Sequence, residues 1–599
     1  MDVFPDLRSF LEALERDGDL TVVDCEVDPR LELAEIHRRV IAAGGPALLF
    51  TKVRGSAHRV VTNLFGTARR VERAFGRRPE AFIAAAAKLP HELMPPSLGK
   101  LWKKRGFFKD LLGVGLASRS SGPITEVIDR APDLTRIGAL TTWSLDGGPF
   151  LTLPLVYTEH PQTGQSNLGM YRMQVKGPRT TGMHFQIGKG GGFHLAAAEE
   201  LGRALPLNCF LGGPPALILA AIAPLPENVP EMLLASLVLG KKLPMVRTKD
   251  SPLPLPADAE FVLMGEVRSK VREPEGPFGD HYGYYSLIHD YPVFDCKAVA
   301  RRSDAILPAT VVGKPRQEDF FIGDFLQELL SPLFPIAMPA VRDLWSYGET
   351  GYHSLAAAVV RERYRREAMA SAFRILGEGQ LALTKFLLVT DRPVDLRNFR
   401  ATLEHILART DVRTDLYVFS NLSMDSLDYT GPKVNEGSKG VWLGLGDPKR
   451  SLPRAFSGEL PQGFARPTVY CGGCLVVEGP SFVDEKGAPA RLARAESLRP
   501  WPLVVLVDDA PKAARSDMNF LWTTFTRFEP ASDIHTPSAR IERHHIVLEP
   551  PVVIDARKKP NLPDELFCDP PTAKTVSGRW HEYFPKGQEM GNSDAAHLD

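Results

Sequence analysis

The sequence predicts a mixed α/β protein of several domains, with a strand-rich middle that is either a barrel or a heavily bent sheet. Three observations predict this. Amphipathic helices alternate with short apolar strands over the first hundred residues. Successive strand-like runs divided by turn residues follow Pro123. A strand–helix–strand pattern returns after Phe320. The chain has 599 residues with 50 Gly and 51 Pro. Their combined share exceeds the average of about 12% but falls short of the roughly 25% of low-complexity chains, so it marks turns in a folded protein. At roughly 150 residues per domain the length suggests about four domains.

At the N-terminus, Leu7, Phe10, Leu11 and Leu14 fit the helical i, i+3, i+4, i+7 spacing, and Gly18 ends that helix. LTVVDCEV reads as a strand, 33–43 as a second amphipathic helix ended by Gly44-Gly45, and PALLF as a second strand. Short helices are expected around Val71 and Ala85, and 91–110, rich in Pro, Gly and Lys, reads as a connector. Next come FLTLPLVYTEH, NLGMYRMQVKG and TGMHFQIGKG, separated by Thr163-Gly164 and Lys176-Gly177-Pro178. ALILAAIA, PMVRT and EFVLMGEV continue in strand style, with helices inserted at 194–203 and 229–240. LTKFLLVTD, a helix over 396–408 and DLYVFSN form a strand–helix–strand unit. Beyond Pro453 lie PTVYCGGCLVVE, PLVVLVDD and HHIVLEPPVVID as strands, one helical stretch near Phe520, and a polar tail, 587–599, expected to be disordered. No internal repeat is visible.

Composition excludes several roles. Lys plus Arg and Asp plus Glu are both 72, which argues against a nucleic-acid-coating protein. Six cysteines are too few for a disulfide scaffold. The first residues, MDVFPDLRSF, lack the basic and apolar regions of a signal peptide, and apolar stretches such as 216–223 stop far short of the ~20 residues of a membrane span. A cytoplasmic protein is expected.

Four clusters carry possible chemistry: Asn167 to Arg172, His184 to Gly192, Glu231 after Pro230, and Glu275 to His281. In the last, two carboxylates flank a Gly-Pro-Phe-Gly turn that can curl both into one cavity. With Arg172 between them, Glu275 stays ionised, and Asp280 in a drier position has a raised pKa. The alternative is a solvated acidic turn. The tract Gly188 to Gly192 lets backbone amides approach a phosphate, or is a flexible hairpin end, and its spacing is not that of a P-loop. Asn167 and Glu231 offer hard oxygen ligands suited to Mg or Mn, although Glu231 taken alone reads first as a favourable charge at a helix N-terminus. The lone Cys471-Gly-Gly-Cys474 lacks further zinc ligands, and His544-His545 alternate faces of a strand, so both read as structural.

Taken in order, N-L-G-M-Y-R, H-F-Q-I-G-K-G-G, the helix-borne Glu231 and E-G-P-F-G-D-H-Y-G-Y-Y resemble the UbiD family of decarboxylases, over about residues 6–450. The resemblance implies prenylated FMN as cofactor. It implies Arg172, Glu275 and Asp280 as the catalytic charge network. Met170, Tyr171, Arg172, His184, Phe185, Gln186, Lys189 and Gly190 would line the cofactor, and Lys439 would reach its phosphate. Asn167 and Glu231 would ligate a divalent cation, Mn first, with potassium a further candidate. Family members often carry a His where this chain has Gly188, so the third metal ligand is open. The implied architecture is an N-terminal α/β domain (1–120), a split β-barrel flavin domain (121–320), a C-terminal α/β domain (321–452) and an extension (453–599).

The resemblance implies reversible, non-oxidative decarboxylation of an aromatic or α,β-unsaturated acid. It leans toward quinone biosynthesis, with a polyprenyl-hydroxybenzoate or dihydroxynaphthoate as substrate. Simple hydroxybenzoates and a plain FMN-dependent oxidoreductase are the alternatives. The implied partners are a flavin prenyltransferase as cofactor supplier and further copies of the chain, as a homodimer or homohexamer. No nucleic acid is expected. The neutral chain suggests at most peripheral membrane contact.

Overall fold

A computed structural model describes residues 3–76, 78–94, 97–186, 190–225, 229–314 and 316–593. They form two compact units: one runs to Leu329 and resumes at Glu565, and the other spans Leu330–Asp564.

The first unit opens with the helix Leu7–Arg16, where the Asp6 side chain accepts from Ser9 N and the predicted apolar stripe is buried. Beside it a four-stranded sheet takes the order Leu20–Val27, Ala47–Val53, Arg59–Thr62, Ile306–Pro308. The helix Glu32–Ala42 was expected to be amphipathic, yet Glu35, His37, Arg38 and Arg39 are buried along with its apolar face. The reason lies at the other end of the chain. The helix Pro570–Tyr583 packs against it, and Ser593 Oγ donates to Glu35 Oε1 (2.6 Å) while Gly591 N donates to Arg39 O (3.1 Å). Residues 587–593 therefore do not behave as the expected disordered tail, because buried charges on that helix need the polar partners they supply.

The strand-rich middle is an antiparallel seven-stranded sheet ordered Thr180–Gly182, His289–Arg301, Phe261–Glu275, Leu205–Leu211, Leu155–Glu159, Ser166–Met170, with Val127–Asp129 beside His289–Arg301. Closure between its ends is not among the described pairings. The long hairpin of Phe261–Glu275 and His289–Arg301 shifts register twice, between Met264 and Gly265 and between Val267 and Arg272, which bends it. Two sequence readings change. ALILAAIA is the helix Pro215–Ile222, since an Ala-rich run with Pro at its first turn is a good helix start. The connector 91–110 contains the helices Leu98–Lys103 and Arg105–Leu112. One core joins both sheets, with Val23, Phe50, Val156, Leu207, Leu263, Phe294 and Val576 among its members.

The second unit contains two five-stranded sheets of the same topology. The first is ordered Val341–Ser346, Leu355–Val360, Phe386–Thr390, Gly437–Gly444, Leu416–Leu422. The second is ordered Ala465–Cys471, Cys474–Glu478, Leu503–Val507, Val552–Asp555, Ile534–His535. In each, an antiparallel hairpin starts the sheet, three strands run parallel, and the last is antiparallel. Capping and polar contacts repeat as well. Asn398 caps the helix Phe399–Arg409 and Ser516 caps Asp517–Phe525, each accepting from the amide three residues on. Asp415 Oδ2 accepts from Asp411 N (2.7 Å) and Lys449 Nζ (2.9 Å); Asp533 Oδ2 accepts from Glu529 N (2.7 Å) and pairs with Lys559 Nζ (3.2 Å). Both helices share one core with a face of each sheet. This unit is an internal structural repeat that the sequence did not reveal.

Among the described residues, one helical run, Glu318–Ala337, is long and apolar enough to cross a membrane. Its first turn is fixed within the first unit, where Glu318 accepts from Phe65 N (2.8 Å) and Thr310 Oγ1 (2.6 Å).

Candidate active site

The bent hairpin ends at Glu275, and the next residues curl instead of continuing the strand. Gly276 has φ +100°, a conformation that favours glycine, and its amide donates to Gln174 Oε1 (3.0 Å). Gly279 N donates to Asp146 Oδ1 (2.8 Å), and a Cβ on Gly279 would lie 2.1 Å from the Trp143 ring. Ser286 N donates to Phe278 O (2.8 Å) and Ser286 Oγ accepts from Phe278 N (3.1 Å). The turn is thus clasped from both sides and holds its two carboxylates inward.

Arg172, just beyond the strand Ser166–Met170, lies between them. Its Nε donates to Glu275 Oε1 (3.0 Å), one terminal nitrogen to Asp280 Oδ2, and the other to Ser286 Oγ (3.0 Å). The guanidinium lies 4.7 Å from the Phe278 ring centre. His184 Nδ1 is 3.0 Å from Glu275 Oε2, and His281 contacts Asp280 Oδ1 through its backbone N (2.7 Å) and Nδ1 (2.5 Å). The predicted network of Arg172, Glu275 and Asp280 is therefore one cluster, and the solvated-turn alternative does not hold: Glu275 is 0% exposed and Asp280 7%.

Charge settles the protonation of the cluster. Burial works to raise Glu275, but Arg172 and His184 outweigh it and hold the carboxyl below its usual range. Burial also opposes ionisation of Asp280, yet His281 and Arg172 hold it well below the ordinary value. This reverses the expectation of a raised Asp280, because the next residue, His281, closes on the same carboxylate. Burial and Arg172 push His184 down, so its ring is neutral, and the contact with Glu275 places the proton on Nδ1. Its Nε2 is buried without a hydrogen-bond partner among the described residues. Sequence reasoning missed one acid. Asp319, in the first turn of the helix Glu318–Leu330, is pushed up to about 7 by burial, with His281 lowering and Asp280 raising it. The only signal was a pair of acids at a helix start, which reads as dipole compensation.

Of the predicted cofactor-lining residues, Tyr171 and Phe185 are buried and meet edge to face at 5.1 Å. Tyr171 Oη accepts from Gly191 N (3.3 Å) at the start of the helix Gly190–Glu200. Met170 ends the strand before Arg172, and Gln186 follows Phe185 as a half-buried residue. Gly188 and Lys189 lie outside the described residues. Lys439 is in the second unit, where its ammonium donates to Ala382 O and Thr384 O (both 2.8 Å) and burial pushes it down to about 8. Cys471 and Cys474 are buried free thiols paired across the turn Gly472-Gly473. Among the described residues no three His, Cys, Asp or Glu side chains cluster as a metal site.

Glu231 reaches the strand that carries Asn167, Ser166–Met170. Glu231, in the first turn of Glu231–Leu239, accepts from Leu168 N (3.0 Å), the residue after Asn167. Burial raises its pKa. A Cβ on Gly190 would sit 2.0 Å from Asn167 Oδ1, and Asn167 Nδ2 is buried without a hydrogen-bond partner among the described residues. A half-buried carboxyl and an amide oxygen near a glycine at a helix start fit a hard cation that takes its remaining ligands from a phosphate or water.

Family models of the 3-octaprenyl-4-hydroxybenzoate carboxy-lyase match three successive stretches: its N-terminal domain at residues 11–89, its Rift-related domain at 116–315 and its C-terminal domain at 320–444. The chain belongs to the UbiD family. It is a UbiD-type carboxy-lyase. A relative in Chlamydia trachomatis, an uncharacterized protein, is 51% identical and covers 97% of this chain and 100% of its own length. One in Chlamydia pneumoniae, named as a subunit of 4-hydroxybenzoate decarboxylase, is 49% identical and covers 97% and 98%. Among solved structures, the vanillic acid decarboxylase of Sedimentibacter hydroxybenzoicus aligns with a TM-score of 0.65 at 24% identity, over 77% of this chain and 97% of that one. The UbiD-class enzyme HmfF of Pelotomaculum thermopropionicum, in complex with FMN, aligns at 0.61 and 24%, over 76% and 98%. The UbiD C-terminal match ends with the first sheet of the repeat, so the second sheet lies outside the matched domains.

Gly190 gives the first prediction. Gly190→Ala drives a methyl into Asn167 Oδ1, so if Asn167 ligates a divalent cation, as the family resemblance implies, the purified variant should stay folded but hold at least tenfold less metal than wild type by elemental analysis. Unchanged metal content would remove Asn167 from the site.

Proposed function

We propose that this UbiD-family chain decarboxylates an aromatic or α,β-unsaturated carboxylic acid without net oxidation, using prenylated FMN. The observation that carries this is the buried bridge from Arg172 to Glu275 and Asp280, a fixed cation between two acids that flavin reduction does not require. Loss of CO2 leaves negative charge on carbon that no side chain here can absorb, and prenylated FMN, when bound, supplies the electron sink. Solved relatives carry FMN or prenylated FMN, by their descriptions.

The chain's own residues do the rest. Met170, Tyr171, His184, Phe185, Gln186, Lys189 and Gly190 hold the flavin in this reading, within the sheet we take for the split barrel. Asn167 and Glu231 would hold a divalent cation, Mn first, or potassium, which supplies positive charge for the cofactor phosphate. Arg172 orients the substrate carboxylate. Glu275 and Asp280 face the reacting carbon, one of them delivering the proton. Both rest ionised, so the resting proton is stored elsewhere. Asp319 keeps one near neutrality, within the field of His281 and Asp280, and refills that pair.

The substrate we favour is an aromatic acid of quinone biosynthesis, either a polyprenyl-hydroxybenzoate or a dihydroxynaphthoate. The name of the Chlamydia pneumoniae relative supports a second reading, a simple hydroxybenzoate. A cytoplasmic homodimer or homohexamer supplied by a flavin prenyltransferase completes the proposal.

The test is anaerobic CO2 release from an aromatic-acid panel, by protein made with and without the prenyltransferase. Activity should need the prenyltransferase and vanish in Glu275→Gln and Asp280→Asn. CO2 release by protein made without the prenyltransferase would overturn the role given to prenylated FMN.

A further inference from the structure

The helices Leu98–Lys103 and Arg105–Leu112 expose an apolar face that the rest of their unit leaves uncovered. Leu98 is 86% exposed, Trp102 70% and Leu112 79%. Together with Arg105, Phe108 and Lys109 they line an open groove of about 420 Å³. The pair is anchored from behind, where Phe107 stacks on Phe82 at 4.8 Å, so the exposed face is held outward. Folded proteins seldom leave a large contiguous apolar patch in water without a use for it.

The charges around the patch say what covers it. Residues 97–112 hold five basic side chains, Lys100, Lys103, Lys104, Arg105 and Lys109, against one acid, Asp110, and of the five Lys104 pairs with Glu92, in a chain whose total charge is zero. Whole-chain neutrality therefore conceals a local basic rim. The Arg105 guanidinium lies 5.2 Å from the Trp102 ring centre, at the edge of the apolar face. A second copy seated on this patch would bring like charges together. An anionic bilayer instead offers both things the patch needs: negative headgroups for the lysines and an acyl boundary for Leu98, Trp102 and Leu112. Tryptophan is suited to that boundary, with an apolar body and a polar N–H. The two helices, of six and eight residues, are far too short to span, so the face lies on the membrane.

We infer that Leu98–Leu112 is a peripheral docking surface for anionic phospholipid membranes. This rests on exposure and charge, and is independent of the reading of the active site.

The experiment is flotation of the purified full-length protein with phosphatidylcholine vesicles, and with vesicles containing phosphatidylglycerol as well. Wild type should float with the anionic vesicles, and raised salt should release it. Trp102→Ser with Leu98→Ser, both exposed positions that leave Tm unchanged, should cut binding at least tenfold. Lys103→Glu with Lys109→Glu should cut it by roughly tenfold or more on anionic vesicles only, at about 1 kcal/mol for each Lys removed. No flotation of wild type overturns the inference, as does flotation that either pair leaves intact. So does light scattering that shows the Trp102/Leu98 pair converting an oligomer to a monomer, since the patch would then be covered by another copy.

Discussion

Arg172→Met will abolish decarboxylation and lower stability by about 3–5 kcal/mol at neutral pH, the cost of leaving a buried ion-pair partner alone. The guanidinium is the shared partner of Glu275, Asp280 and Ser286, and both carboxylates lie in the protein interior. The pH dependence identifies the cause. In wild type both acids titrate below their ordinary values. The stability they contribute is therefore present above the unfolded carboxylate range, near 4, and is lost as pH falls through the lower folded values. Without Arg172 burial prevails and raises Glu275, so the variant loses stability as pH climbs from about 4 toward neutrality. The gap between the proteins should be widest near pH 7 and narrow toward pH 4, read from urea midpoints across that range. A gap of constant size would mean that Arg172 acts by packing over Phe278 instead. Arg172→Lys keeps the charge without the planar fork, and should recover part of the stability and none of the activity.

The strand-rich middle and the acidic turn were legible because their signals are local, whereas Arg172, more than 100 residues away, was assigned to that turn through the family resemblance. Turn residues at short intervals marked the strands, and Glu275-Gly-Pro-Phe-Gly-Asp280 carries its curvature in its own composition. Contacts distant in sequence were not legible. The polar face of Glu32–Ala42 looked solvated until Ser593 and Gly591 were seen to cover it, more than 500 residues away. The repeat in the second unit escaped for a different reason. It survives in strand order, in the helix caps Asn398 and Ser516, and in the aspartates Asp415 and Asp533, while the strands FLLVT and LVVLV share little beyond being apolar. A buried parallel strand tolerates exchange among apolar residues, so topology outlasts identity.

The error over Asp280 has a local cause, and it locates the proton. Spacing showed that two acids flank a turn, but not that His281 would close on one of them and leave both ionised. A donor to carbon must hold its proton near the working pH. Asp319, raised to about 7 chiefly by burial, is an acid in electrostatic reach of the network that does so. Asp319→Asn tests this in two ways. A carboxyl whose folded pKa is raised costs stability progressively as pH rises from its unfolded value toward the folded one. Asp319→Asn should therefore match wild type near pH 4 and exceed it above pH 7, by up to about 4 kcal/mol for a rise of about three units at 1.36 kcal/mol each. Activity should move the opposite way. Wild-type turnover should decline above about pH 7 as Asp319 loses its proton, while Asp319→Asn should be slower at least tenfold and lack that descending limb. Cofactor spectra should be the same in both, since Asp319 lies outside the residues assigned to the flavin. If the variant keeps the wild-type pH profile, the refilling proton comes from solvent, and Asp319 has only a structural place at the head of its helix.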